Sequence, residues 1–322
     1  MSRQSAVSGI ESAHAMNRRE FVAGLAGMTT AVFAREGQPQ RRTRLVLLGT
    51  AGGPRPRAAR AAPAQVIVVD DVAYVIDCGD GVARQLVFSG ISLASVRHVF
   101  ITHHHSDHNA GYGNLLLLAW TAGLRTRVDA WGPAPLERMT RLFFEMNAFD
   151  IDTRIADEGR VPLAPLVQAH EIGDGGVLVK DAGVTITAVR VHHPPIANAY
   201  AYRFDARDRS IVISGDSAMP ADNLIALARG ADVLVHEVVY PSAVPRLVAS
   251  LPNAATLTKS ILAHHTSPED VGRVAAAAGV KTLVLSHFVP AEDPTITDEM
   301  WAAPVRAHFR GEVILGKDLM EI

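Results

Sequence analysis

Four histidines and one aspartate fall within six residues, His103-His104-His105-Ser106-Asp107-His108. Imidazole nitrogens and a carboxylate oxygen are the donors that Zn²⁺ prefers. His103 and His105, two apart on near-extended backbone, project to the same side. Asp107 and His108 follow round a turn, so one loop can feed two adjacent metals. A lone histidine is usually a surface or satisfied core residue, and a histidine run can be a tag, but a tag sits at a terminus. Here the apolar, β-branched Val99-Phe100-Ile101 precedes the run, and Leu115-Leu116-Leu117-Leu118-Ala119-Trp120 follows it. A buried strand and a buried helix therefore bracket the histidines. The pattern is that of a metal site.

Other donors stand where predicted strands stop. Val184–Val191 alternates strongly and runs into His192-His193-Pro194-Pro195, where the prolines cannot continue a ladder. Ser210–Ile213 empties into Ser214-Gly215-Asp216-Ser217. Ala231–Val235 ends in His236-Glu237, and Lys281–Ser286 ends in His287. His264-His265-Thr266-Ser267-Pro268-Glu269-Asp270 opens an Ala-rich helix, with Thr266 or Ser267 as its cap and Pro268 in its first turn. Strands at 66–70 and 72–77 form a hairpin that ends in Asp77-Cys78-Gly79, where an aspartate can cap a turn. The Gly-rich Gly49-Thr50-Ala51-Gly52-Gly53 lacks a following Gly-Lys-Ser/Thr, which argues against a nucleotide P-loop.

His-x-His-x-Asp-His after a strand resembles the metallo-β-lactamase-fold hydrolases. Thr102-His103-His104-His105-Ser106-Asp107-His108 is similar to the form found in their tRNase Z and arylsulfatase-like branch. The resemblance implies an α/β fold, an αββα sandwich of two mixed sheets face to face with outer helices. It implies that His103, His105 and His193 hold one Zn²⁺, that Asp107, His108 and His287 hold a second, and that Asp216 bridges them. His192 is the alternative to His193. Asp77 would brace the ligand loop, and the Gly49–Gly53 loop would edge the site. His265, supported by Glu237, would give a proton to the leaving group, with His264 as its rival, while Asp107 would orient the water or take its proton. Two close Zn²⁺ ions lower the pKa of a bridging water from 15.7 to about 7, giving a nucleophile at neutral pH.

The chain that carries these groups has 322 residues, 48% of them hydrophobic and 20% charged, enough for a large core. Its formal charge of −2 gives no general attraction to nucleic acid. One cysteine, Cys78, excludes an intrachain disulfide and a cysteine-based zinc site. In residues 1–40, Arg18-Arg19-Glu20-Phe21-Val22 leads an apolar run that ends at Ala34. That is the pattern of an export signal, similar to the twin-arginine type, and it is too short to span a bilayer. The expectation is a periplasmic or secreted chain with one catalytic domain over 41–322 and no stable membrane span.

Three segments lie outside these motifs. Leu136 to Phe149 reads as an amphipathic helix whose Met139, Leu142, Phe143, Met146 and Phe149 belong to the core. Residues 150–182 read as a connecting hairpin, and 251–263 as a loop closing over the site. The expected reaction is hydrolysis of a small-molecule ester, a phosphodiester or aryl sulfate. No nucleic acid is favoured, because the chain lacks the long basic Gly-rich insertion with which tRNase Z grips tRNA, and export would remove that substrate. A homodimer is compatible with the sequence. A lactonase or β-lactamase, and a mononuclear iron dioxygenase of the same fold, are the competing readings.

Overall fold

A computed structural model describes residues 43–181 and 183–322. The export-signal reading of residues 18–34 lies outside the described residues. The first sheet contains β1 (Thr43–Gly49), β2 (Ala64–Val69), β3 (Val72–Ile76), β4 (Val96–Phe100), β5 (Val128–Gly132) and β6 (Val167–Glu171). The second contains β7 (Gly175–Lys180), β8 (Val184–Arg190), β9 (Tyr200–Ala206), β10 (Ser210–Ile213), β11 (Val233–Val239), β12 (Thr282–Val289) and β13 (Glu312–Leu315). A last short strand, β14 (Met320–Glu321), returns to the first sheet and pairs with β1, so both sheets have seven strands. The helices are α1 (Val82–Phe88), α2 (Ser106–Asn109), α3 (Tyr112–Thr121), α4 (Leu136–Met146), α5 (Ala148–Glu158), α6 (Asp222–Ala228), α7 (Val244–Val248), α8 (Ala254–His264), α9 (Pro268–Ala278) and α10 (Asp298–Arg306).

Both sheets are mixed. β3 to β6 run parallel in one, β10 to β13 run parallel in the other, and antiparallel strands complete each. The continuous apolar runs of β1 and β2 follow from burial on both faces. Leu45 and Leu47 point inward to Tyr74, Phe100, Tyr202 and Phe204 between the sheets. Val46 and Leu48 point outward beneath α1 and α3. On the other side α6, α9 and α10 cover Val212, Leu234 and Leu283. The result is the αββα sandwich. Phe100 is fully buried at its centre, and truncating such a ring to alanine costs about 3–5 kcal/mol.

Several elements differ from the sequence reading. Residues 150–182 are not a hairpin. They hold most of α5 and then β6 and β7, which lie in different sheets, with the chain crossing at Ile172-Gly173-Asp174. Tyr200 Oη fixes that crossing by donating to the carbonyls of Ile172 (2.8 Å) and Gly173 (2.5 Å). β6 and β7 are edge strands with mixed exposure, so neither carries clean alternation. α5 is held on its surface by Arg154, which pairs with Asp150 and Glu158. Such a helix is read from i,i+4 charges rather than from apolar periodicity.

The stripe on α4 is only partly core. Leu142, Met146 and Phe149 are 43%, 74% and 87% exposed. Residues 251–263 form not a loop but most of α8. Its apolar Leu257 and Ile261, one turn apart, are separated by polar residues that masked the helix. β11 does not stop at Val235 but runs through His236 and Glu237 to Val239, and β12 likewise runs through His287. No helix among the described residues is long and apolar enough to cross a membrane.

Candidate metal centre

β3, β4, β8, β10, β11 and β12 all carry donor residues close to their C-terminal ends, inside the strand for Glu237 and His287 and just beyond it for the others. Their pairing makes the strands of each sheet point the same way. Side chains delivered there meet at one rim of the sandwich, where open α/β sheets place their sites. Two local devices sharpen the aim. His287 is the extra residue of a bulge, between the pairs Glu237–Ser286 and Val238–Phe288, and it adopts a left-handed φ of 45°. Gly215, at φ 59°, lets the turn before Asp216 pass so close to the Tyr200 carbonyl that a Cβ would sit 2.9 Å from it.

Three groups of donors result. His103, His105, His193 and Asp216 offer atoms within 4.8 Å of one another, as do Asp107, His108 and His287, and also Asp216, His265 and His287. Asp216 is the member that joins them. Its Oδ1 lies 3.3 Å from both His108 Nε2 and His287 Nε2, and its Oδ2 lies 3.8 Å from both His103 Nε2 and His265 Nδ1. Within the first group, His105 Nδ1 faces His103 Nε2 at 2.9 Å and His193 Nε2 at 3.2 Å.

The outer nitrogens are tied down, which fixes what the inner ones present. Asp77 Oδ2 accepts from His108 Nδ1 at 2.8 Å. Thr102 Oγ1 lies 3.0 Å from both Asp77 oxygens and 3.1 Å from His103 Nδ1. His193 Nδ1 donates to the His264 carbonyl at 3.0 Å. The Nε2 lone pairs of His103 and His193 therefore face the cluster, and so does the Nε2 atom of His108. Asp107 Oδ2 accepts from the Gly53 backbone N–H at 3.0 Å, which anchors it from the glycine loop.

Burial holds His103 well below the ordinary imidazole value and brings His193 down to about 4, so both stay neutral. Burial opposes ionisation of Asp107 and Asp216, but neighbouring imidazoles outweigh it. His108 and His287 bring Asp107 down to about 2, and His287 and His108 hold Asp216 well below the usual range. Burial likewise presses His108 down, yet Asp216, Asp77 and Asp107 push it well above. Ionised carboxylates packed this deeply require positive charge beside them. Asp216 Oδ1 is buried without a hydrogen-bond partner. The neutral imidazoles of His103 and His193, the charged carboxylates and the unpartnered Asp216 oxygen together fit divalent cations.

The structure separates the paired alternatives. His193 is 1% exposed and inside the first group, whereas His192 faces outward. His264 contributes its carbonyl to His193, and its Nε2 lies 3.3 Å from Ser260 Oγ. His265 Nδ1 lies 3.3 Å from Glu237 Oε2 in an ion pair without hydrogen-bond alignment. Burial lowers His265, but Glu237, and after it Asp216 and Asp107, raise it to about 9. Glu237 is itself held by the backbone N–H groups of Thr266 (2.9 Å) and Ser217 (3.4 Å). His104 turns away and donates to the Pro133 carbonyl at 2.7 Å. Sequence reasoning missed Thr102 as the link between Asp77 and His103, and Gly53 as the anchor of Asp107. Both lay in stretches singled out for other reasons.

Residues 73–288 match the family described as the beta-lactamase superfamily domain. Ribonuclease Z of Mycobacterium bovis (strain BCG / Pasteur 1173P2) is 32% identical over 281 residues, covering 86% of this chain and 97% of its own. Ribonuclease Z of Mycobacterium marinum (strain ATCC BAA-535 / M) is 33% identical over 286 residues, with the same shares. In fold, the metallo-beta-lactamase fold protein YhfI from Bacillus subtilis superposes with a TM-score of 0.66 at 22% identity, over 87% of this chain and 98% of its own. The short form of human tRNase Z, ELAC1, gives 0.62 at 22%, with the same coverage.

Relatives named for a ribonuclease overturn the expectation of a small-molecule ester with no nucleic acid. The net charge of −2 was a poor guide, because it averages the whole chain and says nothing of where its charges lie. The same relatives favour phosphodiesters over the aryl sulfate and carbonyl readings. Sandwich, converging donors and kinship agree: the chain belongs to the metallo-β-lactamase superfamily, among the ribonuclease Z relatives, and is a metallo-hydrolase of ester bonds.

Proposed function

We propose that the chain cleaves RNA phosphodiester bonds with two divalent cations, Zn²⁺ being the ion its donors suit best. His103, His105, His193 and one oxygen of Asp216 would hold the first; Asp107, His108, His287 and the other oxygen of Asp216 the second. The observation that carries this reading is Asp216, whose two oxygens face the two groups separately. Such a pair of cations supplies Lewis acidity and hydroxide at neutral pH when bound.

The chain's own residues do the rest. Asp107, held by the Gly53 N–H, keeps its carboxylate turned to the site, where it can orient a water or accept its proton. Gly52 to Arg57 and α8 line a cavity that opens onto Asp216 and His265. Arg55 and Arg57 on its rim match the negative charge of a phosphodiester. The departing alkoxide needs a proton. His265 is placed to give it, with Glu237 behind it and Asp216 before it.

The test is incubation of the zinc-loaded protein with an end-labelled RNA hairpin carrying a single-stranded 3′ tail. Expected products end in a hydroxyl and a phosphomonoester, and a 2′-deoxy substitution at the cleaved nucleotide leaves cutting intact, because water and not the 2′-hydroxyl attacks. Cyclic phosphate termini would overturn the hydrolytic step. Intact RNA, with bis(p-nitrophenyl) phosphate turned over by the same preparation, would overturn RNA as the substrate.

A further inference from the structure

The cavity above Asp216 and His265 has two unlike walls. The glycine loop supplies Gly53, Arg55 and Arg57; α7, α8 and the end of β12 supply the apolar Leu247, Leu257, Ile261 and Val289. Its volume is about 420 Å³, within the range of roughly 300–1,000 Å³ for small-ligand sites, so it has room for one nucleotide and not for a stem. The arginine wall answers a phosphate: Arg57 Nε is buried with no hydrogen-bond partner, a donor aimed at nothing in the protein. A sugar–phosphate chain makes no use of the apolar wall.

That wall offers an apolar surface. Leu247 and Ile261 rest on a small cluster with Val239, Val244 and Val289, which backs the wall. Leu257 joins none of the packed apolar clusters among the described residues and faces the cavity instead. Its side chain is only half-buried, although it is a large apolar group. The wall also has a direction. α8 ends at His264, and His265 follows at once, so the face carrying Leu257 and Ile261 leads to the residue placed to protonate the departing oxygen.

We propose that Leu257 and Ile261 form a base subsite for the departing nucleotide, while Arg57 holds its phosphate. This rests on the RNA reading given above. Bases taken out of a stack are commonly gripped between apolar side chains, and an arginine plane lining the same cavity can complete such a slot.

The test uses the full-length, zinc-loaded protein and two RNAs, one parent and one abasic at the departing nucleotide, which the product termini identify. The abasic RNA is expected to raise KM about tenfold with kcat within twofold. In Leu257→Ser with Ile261→Ala the parent KM rises by a similar factor, and the abasic penalty shrinks below twofold. Leu257→Ser alone, at a half-buried position, keeps the fold and gives a smaller shift in the same sense. Arg57→Gln raises KM on both RNAs equally. An unchanged KM for the abasic RNA, or a penalty undiminished in the double variant, would overturn the subsite. Binding of 2-aminopurine riboside 5′-monophosphate, followed by its fluorescence, separates the two ideas. Saturable quenching lost in the double variant supports the subsite even if RNA is not cut, and no quenching in the wild type sinks it.

Discussion

Asp216 and His265 lie 3.8 Å apart and are assigned opposite duties, so their variants should fail differently. Asp216→Ala removes the group facing both donor sets. It is expected to lose bound metal, read by elemental analysis, and activity by more than 10²-fold. His265→Ala is expected to keep its metal while turnover falls about 10²- to 10⁴-fold, as for loss of a general acid. That penalty should shrink on bis(p-nitrophenyl) phosphate, whose leaving group needs no proton. Equal penalties on both substrates would make His265 a ligand, which its place in a group with Asp216 and His287 also allows. At this scale much was legible. Residue types and spacing in His103–His108, and lone donors at strand mouths, carried the positions of the cluster. The His192–His193 doublet was not decidable, because two prolines say that a strand stops and not which neighbour turns inward. That depended on the isolated bridge between His193 and Ile196.

Among the elements, the loop between β1 and β2 is the one whose placement the site feels most. Asp318, far along the chain, gathers it. Its Oδ1 accepts from Thr50 N (2.9 Å) and Thr50 Oγ1 (2.7 Å), and its Oδ2 from Ala61 N (2.5 Å). Asp318→Ala should free the loop, remove the Gly53 support of Asp107, and lower kcat about tenfold while Asp318→Asn retains more. The stability loss should be about 1–3 kcal/mol, the range for stranded buried partners, read from urea unfolding. A second junction gives a pH signature. Asp232 joins β10 to β11 and β12 through Ser210 N (2.7 Å), Ser210 Oγ (2.9 Å) and Lys281 Nζ (2.6 Å). Burial opposes its ionisation, but Lys281 and Ser210 bring it down to about 2 from the ordinary 3.8. A carboxylate depressed on folding stabilises above its unfolded value, and that contribution disappears as pH falls through the folded one. Wild type should therefore exceed Asp232→Asn in urea midpoint at pH 7, with the gap closing between about pH 4 and pH 2. Central strands were legible because both their faces are buried. α5, α8, β6 and β7 were not, since their periodicity is diluted by charge or by edge exposure.

For the molecule as a whole, neither of the two donor groups assigned to a cation belongs to one sheet. His103 and His105 come from the first sheet's loops and His193 and Asp216 from the second's. Asp107 and His108 likewise meet His287 from across the sandwich. Bound cations would thus fasten one sheet to the other. Stripping with a chelator should lower the unfolding midpoint, and zinc should restore it. The gain expected is about 2.7 kcal/mol at a free-ion concentration 100 times Kd and about 4.1 at 1,000 times. A midpoint indifferent to zinc would count against buried cations. The sandwich itself was anticipated from the resemblance carried by His103–His108, and strands with two apolar faces agree with it, since they need cover on both sides. Which strand lay beside which could not, because the crossing at Ile172–Asp174 carries no signal beyond a glycine.

That division between sheets also sets an order of events during synthesis. A growing polypeptide must pass Asp216 before the first donor group can exist at all, and His287 before the second can. Until then the ribosome holds a half with imidazoles and nothing opposite them, so the proposed cations would enter late and hydrolytic power would be withheld from an unfinished chain.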